Sequence, residues 1–113
     1  MITQIRFTDT AKEDLRNIAV YIAEQAGDKE PAIRFVNDLR EKVKILETFP
    51  ESGAIPDDRI LKSAGHRFLV YKEYLIFYQY NKTENTVYLL AFFNAKRDYV
   101  RVMRRFVRRN DLN

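Results

Sequence analysis

Apolar side chains recur every three or four positions between residues 9 and 48, and run almost without interruption in three bursts between residues 66 and 93. The first pattern is helical. Ala11, Leu15, Ile18, Ala19 and Ile22 make one stripe with Lys12, Glu13, Arg16 and Glu24 outside it, which predicts a helix from about Asp9 to Gln25. Thr8 offers a hydroxyl to its first free amides, and Gly27 suits the left-handed turn at its end. Ala32, Phe35, Val36, Leu39, Val43 and Leu46 make a second stripe, predicting a helix that opens around Pro31 and continues to about Thr48. Joined by a short loop, the two form an antiparallel hairpin. Ahead of them, Ile2 to Phe7 alternates as a strand does.

The second pattern predicts a sheet. Phe68 to Val70, Tyr74 to Tyr80 and Thr86 to Phe93 are dense in aromatic and branched residues, and the polar run Asn81 to Asn85 marks a turn between the last two. Strands this apolar need cover on both faces, from helices alone or from helices on one side and a partner on the other. Pro50, Gly53 and Pro56 interrupt the periodicity, so Phe49 to about Lys62 is expected to be a surface loop. Asp98 to about Arg109 reads as a last helix, with Val100, Met103, Phe106 and Val107 turned inward. Its Arg101, Arg104, Arg105 and Arg108 share one face. The whole predicts one α+β domain over residues 1–113: strand, antiparallel helical hairpin, three-stranded antiparallel meander and C-terminal helix.

Charge sharpens this picture. Residues 9–58 hold 7 Lys or Arg against 12 Asp or Glu, whereas residues 59–113 hold 12 against 4, so the segments carry about −5 and +8. The sheet half is the cationic half, suited to nucleic acid or to an acidic protein segment. Other chemistries drop out. There is no cysteine and one histidine, so neither disulfides nor a zinc site with the usual ligands is expected, and three scattered glycines build no phosphate-binding loop. No nucleophile elbow surrounds Ser63 and His66. No apolar run approaches the roughly 20 residues that span a bilayer, and the amino terminus lacks the apolar core of a secretion signal, so a cytoplasmic protein without a membrane partner is expected.

A metal-independent ribonuclease remains compatible, since RNA carries its own 2′-hydroxyl nucleophile and needs only a base, an acid and cations at the phosphate. His66, Arg67, Lys72, Lys96, Arg97 and Tyr99 are candidates for those roles. The arginines at 101, 104, 105 and 108 are candidates for tracking phosphates or clamping an acidic peptide. No cofactor is called for.

Four short segments, in order, resemble the RelE/ParE superfamily of toxins from bacterial type II toxin–antitoxin modules. They are Phe7-Thr8-Asp9-Thr10-Ala11-Lys12-Glu13-Asp14-Leu15, Phe49-Pro50 with Gly53, Tyr74-Leu75-Ile76-Phe77-Tyr78, and Lys96-Arg97-Asp98-Tyr99. The resemblance implies a growth-inhibiting toxin of the plasmid-stabilisation kind, held inactive by a cognate antitoxin. It also implies one of two targets: DNA gyrase for ParE-like members, or mRNA on the ribosome for RelE-like members. RelE-like nucleases carry an arginine where Leu75 stands and a tyrosine near Met103, leaving Arg97 as the clear match to their cationic set, with Arg67 and His66 as further catalytic candidates on that reading. Tyr74 to Tyr78 and Arg97-Asp98 are closer to ParE-like members, many of which have a histidine in place of Asn94. The expectation is therefore gyrase, with ribosome-dependent mRNA cleavage and a non-toxic nucleic-acid-binding module as alternatives.

Overall fold

A computed structural model describes the backbone of residues 2–111, and the side chains of all of these except 105, 106 and 108–111. The chain runs β1 (Gln4–Phe7), α1 (Asp9–Ala26), α2 (Glu30–Val43), α3 (Ile45–Thr48), α4 (Arg59–Ser63), β2 (His66–Tyr71), β3 (Tyr74–Asn81), β4 (Thr86–Asn94) and α5 (Tyr99–Asp111). The strands lie in the order β1-β4-β3-β2, with β2, β3 and β4 forming the expected antiparallel meander. β1 adds to it in parallel with β4, Gln4 opposite Thr86 and Phe7 opposite Leu89.

Local chemistry accounts for the boundaries. The Thr8 hydroxyl accepts from the Ala11 N–H at 3.2 Å and donates to the Leu89 carbonyl at 2.7 Å, so one residue both caps α1 and ties it to β4. Gly27, at φ 67°, ends α1. Asn85 sits at φ 49° in the β3–β4 turn, a conformation asparagine tolerates. Its side-chain oxygen accepts from the Thr3 and Tyr80 hydroxyls at 2.8 and 3.0 Å, and its carbonyl accepts from the Gln4 N–H at 3.1 Å. The amino-terminal strand is thereby registered against the hairpin.

The sheet is covered on both faces by the chain itself. On one face Ala11 and Leu15 of α1 and Phe35 and Leu39 of α2 pack on Ile76, Tyr78, Val87, Leu89 and Phe92. On the other, Leu61 of α4 and Met103 and Val107 of α5 pack on Leu75, Phe77, Leu90 and Phe93. A bulge in β4 makes this possible. The register slips between Phe77 and Tyr78, so Leu90 and Ala91 both face the second layer before Phe92 returns to the first.

Two expectations are corrected. The second helical stripe is broken at Lys44 into α2 and a single turn, α3, because Lys44 bonds to Glu41 in a tighter turn. The segment expected to be an unstructured loop is also ordered: Gly53, Pro56 and Leu61 are buried, Ala54 bridges to Phe68 on the outer edge of β2, and Arg59–Ser63 is helical. Proline and glycine marked the interruption correctly but concealed a covering role.

That segment is pinned by Tyr78, whose hydroxyl accepts from the Gly53 N–H at 2.9 Å. A Cβ at position 53 would lie 2.6 Å from the Tyr78 hydroxyl oxygen and 2.9 Å from the Phe68 carbonyl. Gly53→Ala is expected to cost about 2–3 kcal/mol through overpacking against backbone. Tyr78→Phe is expected to cost about 1–2 kcal/mol through the unpaired buried amide, both read by urea unfolding.

Candidate functional site

β4 delivers the chain to one end of the sheet, and the turn that follows is fully specified by hydrogen bonds. Asn94, opposite Tyr74, is the last strand residue. The Ala95 N–H donates to the Glu73 carbonyl at 2.7 Å, which joins this exit to the β2–β3 turn. The Asn94 side chain then accepts from the Lys96 N–H at 2.8 Å and its carbonyl from the Arg97 N–H at 3.0 Å. Asp98 opens α5 by accepting from the Arg101 N–H at 3.3 Å. Lys96 and Arg97 are therefore projected from a short hydrogen-bonded turn and Arg101 from the first turn of α5, and all three are exposed. The Arg97 guanidinium lies 5.9 Å from the centre of the Phe93 ring, and with Asp98, Arg101 and Val102 it lines an open cavity of about 350 Å³. Lys72, at φ 53° in the adjoining two-residue turn, holds its ammonium 5.5 Å from the Tyr71 ring and lines a different cavity with Arg34, Asp38 and Glu73.

Asp14 completes this end. Its carboxylate accepts from the Phe92 N–H at 3.0 Å, supplying an acceptor to β4 beyond the point where β1 stops. Burial pushes its carboxyl above the usual 3.8, while the Phe92 hydrogen bond and the nearby Arg97 charge pull it back. Sequence reasoning missed this residue although the signal was present. Asp14 interrupts the inward stripe Ala11, Leu15, Ile18, where a polar side chain needs a partner.

The other candidates do not join this cluster. Arg67 donates to the Glu51 and Gly53 carbonyls at 2.9 and 3.1 Å, with the Glu51 carboxylate at 3.7 Å, so it straps the 51–54 segment to β2. His66 is 3% exposed, its ring edge-on to Phe77 at 6.5 Å. Arg67 lies opposite Tyr78 and Tyr78 opposite Leu89, five positions before Asn94, which separates it from the β4 exit by roughly 17 Å along the strand. Tyr99 is half-buried, its ring 5.8 Å from Phe68 and 5.4 Å from Phe77. Arg104 grips Asp58, donating from Nε to both carboxylate oxygens at 3.1 and 3.3 Å and from Nη2 to Oδ1. The side chains of Arg105 and Arg108 lie outside the described residues.

This fold is shared with chains of two bacterial toxin–antitoxin systems. The chromosomal ParDE toxin–antitoxin system of P. aeruginosa contains a chain that superposes with a TM-score of 0.67 at 20% identity, covering 82% of this chain and 96% of that one. A chain of the Mycobacterium tuberculosis RelBE2 toxin–antitoxin complex superposes with a TM-score of 0.62 at 23% identity, covering 83% and 92%. Residues 5–99 match the sequence profile of the ParE toxin of type II toxin–antitoxin systems, parDE, and the chain belongs to that family. A search of curated protein sequences finds no match. Helix α5 follows the matched region almost entirely. Among the described residues no helix is long and apolar enough to cross a membrane, and no cluster of His, Cys, Asp or Glu could hold a metal ion.

The Arg104–Asp58 pair makes a pH prediction. Asp58, whose side chain is 7% exposed, caps α4 by accepting from the Leu61 N–H while it binds Arg104, and the Arg104 hydrogen bond holds its carboxyl below 3.8. A lowered native value means that this stabilisation is present above 3.8 and lost as pH falls through the native value. Arg104→Gln is therefore expected to lower the denaturation midpoint at neutral pH, with the gap to the unsubstituted protein closing well below pH 3.8.

Proposed function

We propose that this protein arrests growth by acting on DNA gyrase through the cationic exit of β4, and that a cognate antitoxin encoded beside it holds it inactive. The observation that carries the reading is that the histidine, tyrosine and second arginine expected of a nuclease do not gather around Arg97, while the carboxylates beside it, Asp14 and Asp98, accept from the Phe92 and Arg101 amides. A metal-free nuclease must bring a general base and acid within hydrogen-bond reach of the scissile phosphate that its cations bind. Here the one histidine is buried near the far end of β2, Tyr99 is packed into aromatic core, and Arg67 is committed to the 51–54 segment. Lys96, Arg97 and Arg101 form a surface for binding rather than for proton transfer.

Binding is what inhibition of a DNA-handling enzyme requires. A rigid cationic turn can engage an acidic enzyme surface or the phosphates of enzyme-bound DNA without chemistry of its own. Gyrase acts in the cytoplasm, so the proposal places the protein there. The antitoxin, by the same electrostatic logic, presents acidic and apolar groups and orders part of itself on binding.

Expression without the antitoxin is expected to stop growth, induce the SOS response and produce gyrase-dependent DNA breaks while ribosome-bound mRNA stays intact. Replacing Lys96, Arg97 and Arg101 with alanine is expected to weaken gyrase binding by about 1–2 kcal/mol per residue, roughly tenfold each. Codon-phased mRNA cuts lost on Arg97→Ala would establish the ribosomal target instead. Salt-sensitive nucleic-acid binding with no growth arrest would identify a non-toxic module.

A further inference from the structure

Arg67, Lys82 and Arg104 are held by Gly53, Glu51 and Asp58 in turn, but the charged side chains around a second cavity are not held in this way. That cavity is open, about 590 Å³ in volume and therefore of the size that takes small molecules, and it lies between the end of α1, the first half of α2 and the β2–β3 turn. Arg34 and Asp38 line it from α2, and Lys72 and Glu73 from the turn. Among the described residues, none of these four side chains is in an ion pair or a hydrogen bond, and Lys72 only approaches the Tyr71 ring. Arg34 and Asp38 are four positions apart, but with the cation first, the weaker order for a helical pair.

The wall between the charges is largely aromatic. Phe35 packs edge-on to Tyr74 at 5.3 Å, and Tyr21 lines the cavity while 58% exposed. Tyr74 itself is 8% exposed, yet among the described residues its hydroxyl has no hydrogen-bond partner. Burial, and after it the charge of Glu73, push this phenol above its ordinary 10.0, so at neutral pH it remains an O–H donor. A donor so placed costs free energy unless water or a ligand supplies its acceptor.

The two cations and two carboxylates cancel, which excludes ligands of one sign. A phosphate drawn to Arg34 and Lys72 meets Asp38 and Glu73, and a polyamine drawn to the carboxylates meets the cations. A compact zwitterion on an apolar body satisfies both sets. We infer that this cavity binds a free α-amino acid with an aromatic side chain: its carboxylate faces Arg34, Lys72 and the Tyr74 hydroxyl, its ammonium faces Asp38 and Glu73, and its ring lies against Phe35 and Tyr21. The site adjoins the β4 exit through Glu73, whose carbonyl accepts from the Ala95 N–H, but it shares no lining residue with the cavity of Arg97 and Arg101.

The test is titration of the purified full chain with L-phenylalanine, by calorimetry and by heteronuclear NMR, with thermal midpoints confirming that each variant is folded. Saturable binding with a Kd below about 1 mM is expected, with amide shifts centred on residues 21–38 and 71–75. Hydrocinnamate, which lacks the ammonium, phenethylamine, which lacks the carboxylate, and AMP are each expected to bind about tenfold more weakly or worse. Arg34→Gln and Asp38→Asn are each expected to weaken L-phenylalanine binding by about fivefold, and Tyr74→Phe by about threefold. No saturable binding up to about 10 mM, or shifts centred elsewhere, would overturn the site. Hydrocinnamate, phenethylamine or AMP binding within about twofold of L-phenylalanine would overturn the zwitterion assignment, as would folded Arg34→Gln and Asp38→Asn variants that keep the unsubstituted affinity.

Discussion

β4 must be satisfied on four sides at once, and most of the molecule is the means of doing so. Seven of its nine residues are buried. Its edges are occupied by β3 and by the parallel β1, and past the end of β1 the Thr8 hydroxyl and the Asp14 carboxylate take over as partners. Its faces are covered by α1 and α2 on one side and by α4 and α5 on the other, with the bulge at Leu90 reconciling the two phases. A strand with no free side leaves its last residue little freedom. The turn after Asn94 is held by hydrogen bonds to that residue and carries Lys96 and Arg97, with Arg101 following on α5.

The cations of the basic half divide by their partners. Arg67 is consumed in holding the 51–54 segment, and Arg104 in clamping α5 to the cap of α4. Lys96, Arg97 and Arg101 stand exposed on the β4 exit. Charge that is already committed to a carbonyl or carboxylate contributes to local order. Exposed charge on a rigid turn meets a partner without a large ordering cost. Net charge alone does not separate these roles, and on this ground the gyrase reading is preferred to a nuclease built on Arg67 and His66.

The helices, the meander and the caps at Thr8 and Gly27 were legible because periodicity and capping are local properties of the chain. The parallel pairing of β1 with β4 was not, since Gln4 and Thr86 meet only through the completed fold. Likewise, the apolar bursts implied cover on both faces, but Pro50, Gly53 and Pro56 disguised the segment that supplies part of it. Gly53 has its place because Tyr78 leaves no room for a Cβ, a constraint set by a residue 25 positions away. At the candidate site, the Lys96 to Tyr99 run falls on the turn between β4 and the start of α5. The arginine stripe on α5 suggested one surface, whereas the structure assigns Arg104 to Asp58, a partner that no helical periodicity reveals.

The most direct test of the β4 exit as the surface of action is a photo-cross-linking residue placed at exposed Ala95, between the committed backbone and the three cations, in cells expressing the protein without antitoxin. A covalent adduct with a gyrase subunit, suppressed when antitoxin is restored, is the predicted result. Growth arrest with no gyrase adduct from position 95, or with adducts confined to ribosomal components, would contradict it.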